Sequence, residues 1–293
     1  FRYDKCMISL KLNQKQIQEI KEKYRDGQFR YDIPYTHFQV KLHDAVITAY
    51  TSGKVVFAGK NADSYAEKYG SVPTQKGSMT KQRFPMSGSD EVGTGDYFGP
   101  VTLAACYLDQ KDLQKIPLDE IRDSKQITDE KIIEIAPILM KELRYSLLIL
   151  SNKQYNHVQK KHNLNAIKAL MHNQAYLNLN KKVDLSESLN VVDQFVSEKK
   201  YYESLVGQKH IFKNLVFETK AENNYLAVAC AAIIARYAFL HEWLKMEKLY
   251  NMKFPKGSGK KVNQVAQDFI DQYGFDELQH VAKIHFKITD DLQ

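Results

Sequence analysis

Four carboxylates on separate segments are the side chains best placed to do chemistry. Asp90 and Glu91 stand together in Ser89-Asp90-Glu91-Val92-Gly93-Thr94-Gly95-Asp96-Tyr97-Phe98-Gly99-Pro100. Asp193 ends the apolar run Leu189-Asn190-Val191-Val192-Asp193, and Glu222 lies in Glu218-Thr219-Lys220-Ala221-Glu222-Asn223-Asn224. An all-oxygen set without a His/Cys cluster suits a hard cation such as Mg2+ or Mn2+. Two such ions about 3.5–4 Å apart can activate a water and stabilise the leaving oxygen of an in-line phosphodiester displacement. Each acid also has an ordinary reading: a polar turn for Asp90 and Glu91, a helix cap for Asp193, helix-dipole complementation for Glu222. Spacing alone does not choose between the two. Gly93 and Gly95 let backbone come close to a ligand without a Cβ in the way.

The acids need strand ends and helix starts to hold them. Val101–Tyr107 reads as a buried strand directly after the Asp90 stretch, and Tyr145–Leu150 as another. Neighbours on a regular strand face opposite ways, so Asp90 and Glu91 are expected to converge only near a strand end or bulge. Thr128 suits the cap of a helix running to about Leu143 through Pro137, and Leu164–Leu179 is an amphipathic helix. Ile211–Glu218 reads as a strand, Ala221–Tyr250 as a long Ala-rich helix, and Val262–Tyr273 and Phe275–Lys283 as further helices. Strands alternating with helices predict a mixed α/β sheet covered on its faces, with ligands at strand ends. Ahead of it, Met7–Leu12, a helix from the Asn13 cap to about Gly27, three strand-like runs (Tyr35–Leu42, Ala45–Tyr50, Lys54–Ala58) and a short helix after Asn61 predict a small α+β unit. Residues 71–87 are polar and basic with two prolines. The expected organisation is therefore an N-terminal domain over 1–70, a linker over 71–87 and a second domain over 88–293.

The chain has 293 residues and a net charge of +7. Residues 1–87 hold 15 Lys and Arg against 8 Asp and Glu, so all the surplus positive charge lies there. A basic module joined to a neutral, carboxylate-bearing one is what a polyanion-processing enzyme needs. No apolar run approaches the roughly 20 residues that span a bilayer, the richest being interrupted by Arg236. Cys6, Cys106 and Cys230 are odd in number and widely spaced, which predicts free thiols in a reducing cytoplasm. Nothing demands an oligomer or a protein partner, so a monomer is expected.

Gly88–Pro100 resembles the signature of ribonuclease HIII within the type 2 ribonuclease H family. The likeness continues in family order through Asp123-Ser124-Lys125, Ala169–Asn173, Val192–Phe195, Glu218–Glu222, Ala227–Tyr237, Pro255–Gly259 and His285-Phe286-Lys287. It implies an α/β fold: a ribonuclease H-like mixed sheet flanked by helices, with an N-terminal α+β domain like the TATA-binding protein that grips substrate. It implies an endoribonuclease that hydrolyses the RNA strand of RNA/DNA hybrids with two Mg2+ or Mn2+ ions, leaving 5′-phosphate and 3′-hydroxyl ends. Asp90, Glu91, Asp193 and Glu222 match the catalytic and metal-holding acids. Gly93, Thr94 and Gly95 match the loop that reads 2′-hydroxyls, and Ser124 and Lys125 match a phosphate contact. Ribonuclease HII carries Arg between these glycines, so Thr94 argues against its incision at single embedded ribonucleotides. A non-catalytic nucleic-acid-binding protein is the remaining alternative. Arg236 is read as a structural ion pair, and His162, His172 and His285 as satisfied or solvent-facing rather than metal ligands.

Overall fold

The computed structural model describes residues 6–59, 62–66, 68–69, 82–122 and 127–292. Backbone proximity divides the chain into two compact units, Phe1–Gln75 and Lys76–Gln293.

The first unit comprises β1 (Cys6–Lys11), α1 (Gln14–Lys23), β2 (Gln28–Arg30), β3 (Thr36–Lys41), β4 (Ala45–Tyr50), β5 (Lys54–Gly59) and α2 (Ala62–Ala66). Asn13 caps α1 with a reciprocal box: its side chain takes the Gln16 amide at 2.9 Å and Gln16 answers at 3.0 Å. The strands form an antiparallel sheet in the order β1-β5-β4-β3-β2. Ile8, Phe57, Ile47 and Val40 pair across it and pack with Ile17 and Ile20 of α1. Because side chains alternate, Ser9, Lys11, Gln39, Lys41 and Lys54 fall on the opposite, open face. The edge strand β2 was not legible, since its three residues, Gln28-Phe29-Arg30, are too few to show a pattern. The Asn61 cap and residues 71–81 of the expected linker lie outside the described residues. Gln82 donates to the Asn224 carbonyl at 2.9 Å, and Met86 and Ser87, placed by composition at the linker's end, are already strand.

The second unit runs β6 (Met86–Val92), β7 (Val101–Leu108), α3 (Leu118–Arg122), α4 (Asp129–Glu142), β8 (Arg144–Leu150), α5 (Asn152–Gln159), α6 (Leu164–Asn180), β9 (Leu189–Asp193), α7 (Glu198–Glu203), β10 (Val216–Glu218), α8 (Leu226–Leu249), α9 (Lys260–Tyr273) and α10 (Lys287–Asp290). Its sheet has the order β10-β9-β6-β7-β8, with β6, β9 and β10 parallel and β6, β7 and β8 antiparallel. Every residue of β7 is buried because helices cover both faces. Val101, Leu103, Ala105 and Tyr107 pack with Ile167, Met171 and Ala175 of α6. Ala104, Cys106 and Leu108 pack with Ala227, Cys230 and Ile234 of α8. By length and composition α8 could cross a membrane, but most of it is buried here as the central core helix.

Three expected elements differ. The helix expected from Ala221 begins at Leu226; a 3-10 turn, Ala221–Asn223, precedes it because Lys220 is left-handed (φ 55°) and Tyr225 extended. Only Val216–Glu218 of the run from Ile211 is strand, since Asn173 takes the Phe212 amide at 2.9 Å and gives to the His210 carbonyl at 3.0 Å, holding that stretch on α6 instead. Phe275–His280 is a 3-10 turn, and the final short helix is α10.

Candidate active site

The parallel register of β6 and β9 pairs Gly88 with Val191 and Ser89 with Val192. One further step sets Asp90 beside Asp193, and laterally paired residues face the same way. That face is covered by α8. A Cβ on Gly88 would meet the Val228 amide nitrogen at 2.4 Å, so glycine is what allows α8 to lie on β6 two residues before Asp90. Asp193 Oδ1 accepts the Ala221 amide at 2.8 Å, which fastens the strand end to the turn carrying Glu222. Glu218 braces the same turn, accepting from Asn224 Nδ2 at 2.8 Å and the Tyr225 hydroxyl at 2.6 Å. Burial first, then Glu91, Asp193 and Glu222, hold the Asp90 carboxyl well above the usual carboxylate range, although the Glu91 amide donates to it at 2.7 Å. Asp193 is raised by burial, partly relieved by the Ala221 amide and raised again by Glu91.

Glu91 belongs to the other face. β6 passes through Asp90, Glu91 and Val92 as regular strand, each paired with β7, so there is no bulge; the acids lie at the strand's end, as the other expectation had it, but on opposite faces. Glu91 meets α6, where His172 Nε2 donates to Oε2 at 2.8 Å and the Lys168 ammonium contacts Oε1. His172 is wholly buried, and its Nδ1 lies 2.7 Å from Ser89 Oγ. Burial pushes the Glu91 carboxyl up, but the His172 hydrogen bond and the charges of His172 and Lys168 more than reverse this and leave it low. β9 stops at Asp193, one step short of Glu91, and Glu91 still acts electrostatically on Asp90 and Asp193.

After β6 the chain turns through Gly93-Thr94-Gly95. Gly93 has φ 92°, and a Cβ there would meet the Pro100 carbonyl oxygen at 2.3 Å. Gly95 differs: a Cβ there meets nothing within 4 Å. Among the described residues no contact requires a glycine at 95. The loop's far side is clamped. Asp96 Oδ1 accepts the Gly257 amide at 2.6 Å, and the Tyr97 amide donates to the Gly257 carbonyl at 2.9 Å. Lys283, with no exposed surface, donates to the carbonyls of Asp96 at 2.8 Å and Gly99 at 2.6 Å. Burial lowers its amine to about 7.

The structure thus groups Asp90, Asp193 and Glu222 on one face and sets Glu91 behind them. Ser124 and Lys125 lie outside the described residues. Arg236 pairs with Asp129 at 3.0 Å, joined by Lys256 at 2.7 Å, which is the structural role expected of it. Sequence reasoning missed Lys168, and it read His172 as a satisfied histidine, which its contacts to Ser89 and Glu91 bear out; what it did not see was that both meet Glu91. It also missed Lys283 and the clamp at Gly257, for which no local signal exists. Among the described residues no three His, Cys, Asp or Glu side chains form a ready-made metal cage. The donor chemistry nevertheless fits Mg2+ or Mn2+: all carboxylate oxygen, partly buried, and mutually repelling until a cation neutralises it.

Comparison with known proteins identifies the family. A family model described as Ribonuclease HII matches residues 87–289, and a domain of unknown function (DUF3378) matches residues 7–82. Ribonuclease HIII of Bacillus licheniformis is 40% identical over 270 residues, covering 86% of each chain. That of Bacillus velezensis is 38% identical over 297 residues, covering 96% of this chain and 95% of its own. The crystal structure of Bst-RNase HIII in complex with Mn2+ superposes with a TM-score of 0.69 at 33% identity over 97% of both chains.

Proposed function

The chain belongs to the ribonuclease HII family and within it to ribonuclease HIII, and from that premise we infer an endoribonuclease that hydrolyses the RNA strand of RNA/DNA hybrids. The observation that carries the reading to particular residues is the β6–β9 register, which ends at Ser89 and Val192, one step before Asp90 and Asp193, with Asp193 tied through the Ala221 amide to the turn of Glu222. These three side chains, with Glu91 behind them, would hold two Mg2+ or Mn2+ ions. When bound, the ions lower the pKa of an attacking water and offset negative charge at the scissile phosphate, giving 5′-phosphate and 3′-hydroxyl ends.

The protein's own groups do the rest. Asp90 and Asp193 present oxygen donors from the ends of two adjacent parallel strands, so little reorganisation is needed as charge develops. Gly93-Thr94-Gly95, backed by Lys283 and Gly257, offers main-chain amides and carbonyls to 2′-hydroxyls, the group that separates RNA from DNA. Ser124 and Lys125 contact phosphate. The basic N-terminal domain grips the duplex through the open sheet face bearing Lys11, Lys41 and Lys54. The protein acts as a cytoplasmic monomer, consistent with the free buried thiols of Cys106 and Cys230.

Incision at single embedded ribonucleotides is the second reading, and Thr94 in place of an arginine speaks against it. Cleavage assays on an RNA/DNA hybrid, single-stranded RNA and a duplex with one ribonucleotide, each with Mg2+ or Mn2+, separate the two. Strong preference for the hybrid is expected; preferred incision 5′ to the lone ribonucleotide would overturn the assignment.

A further inference from the structure

The side chains around Glu91 give it more cation contact than a metal-holding acid needs. Lys168 and His172, one helical turn apart on α6, occupy its two oxygens separately. Both ends of the Lys168–Glu91 pair are nearly sealed from water, at 11% and 10% side-chain exposure. The Lys168 ammonium also sits 4.0 Å from the centroid of the Phe195 ring, just beyond Asp193, and that ring stacks on His172 at 5.3 Å. Lys168 therefore acts electrostatically on Asp193 as well as on Glu91.

We propose that Lys168 is a positioning residue and internal counter-cation, which assembles the acid cluster when no divalent ion is bound and yields its place at Glu91 when one binds. The proposal rests on the metal-binding reading above. Mutually repelling, partly buried carboxylates are costly without a compensating charge. Lysine suits the task better than arginine. It is a compact point charge on a flexible stem, able to leave Oε1 without breaking a bidentate fork. The Phe195 ring face offers the displaced ammonium a second favourable position. His172, held by Ser89, keeps Glu91 aimed while Lys168 moves.

The test uses the full chain with Lys168→Met, which keeps length and removes charge, and Lys168→Arg, which keeps charge. Mn2+ binding is titrated calorimetrically without substrate, and melting is followed with and without Mn2+. Lys168→Met is expected to bind Mn2+ more tightly, on the order of tenfold. It should melt several degrees lower than wild type when ion-free, and gain more from Mn2+ than wild type does. Lys168→Arg is expected to retain the ion-free melting point. If Lys168→Met does not fold without ion but folds with it, the dependence on a cation is shown directly. Equal or weaker Mn2+ affinity in Lys168→Met, with an equal thermal gain, would overturn the proposal. Asp193→Asn keeps the two failures apart. If wild type and Asp193→Asn bind Mn2+ alike, the metal assignment itself is wrong and the proposal goes with it.

Discussion

Asp90 and Glu91 are neighbours in the chain, yet the two faces of β6 treat them in opposite ways. On the α8 face burial, then the charges of Glu91, Asp193 and Glu222, hold the Asp90 carboxyl well above the usual carboxylate range. On the α6 face Glu91 is buried to a similar degree but compensated by Lys168 and His172, and its carboxyl stays low. The period-two alternation of a strand sorts adjacent acids into these environments. On one face the acids repel one another and raise Asp90, while on the other Lys168 and His172 neutralise Glu91.

Substitutions at the two acids should therefore separate. Asp90→Asn is expected to lower hybrid cleavage by on the order of a thousandfold or more, since several kcal/mol of transition-state stabilisation pass through that face. The same variant should melt higher than wild type without ion, because it relieves repulsion. Glu91→Gln strands the Lys168 ammonium in a poorly hydrated site and should cost about 3 kcal/mol of stability in urea unfolding. If both variants shift stability in the same direction, the contrast between the faces is wrong.

Two smaller effects probe what supports the contrast. Gly88→Ala places a methyl against the α8 backbone and should destabilise by about 1–3 kcal/mol while lowering activity, as α8 moves away from Asp90. Unchanged melting would mean that close approach is not needed. Lys283, behind the glycine loop, titrates near 7 when folded and at its ordinary 10.5 when unfolded. Between these values the unfolded chain binds more protons, so stability should rise with pH. Relative to Lys283→Met, wild type gains up to about 1.4 kcal/mol per pH unit in that window. Denaturant titrations of both at pH 8 and pH 9 give the slope, and parallel curves would contradict it.

The smallest effect concerns the first unit. Deleting residues 1–75, which spares Gln82 and β6, is expected to weaken hybrid binding and flatten its salt dependence while leaving the acids intact. Equal affinity at low and high salt for both forms would remove the role proposed for the open sheet face.

Much of this was legible in the sequence where the signal is local. Asn13 and Thr128 announce helix starts by capping, and the β3–β5 strands show alternation bounded by turns. Asp193 stood out because a carboxylate ends an apolar strand, where ligand sites of α/β sheets form. The compensation of Glu91 was not legible. Lys168 and His172 lie far along the chain, and α6 presents them to β6 only after the sheet forms. The same holds for Lys283 and Gly257, whose partners, main-chain groups of residues 96–99 and the Asp96 carboxylate, carry no sequence signature. The divergence of Asp90 and Glu91 depended on whether β6 bulged, which sequence left open and the register with β7 decides.

The most direct measurement is cleavage of an RNA/DNA hybrid by Asp193→Asn in Mg2+ or Mn2+, paired with a circular dichroism check that the variant is folded. The account predicts a folded protein with cleavage lost under either ion, because Asp193 is the partner of Asp90 on the α8 face. A folded variant that turns over hybrid at the wild-type rate would contradict it.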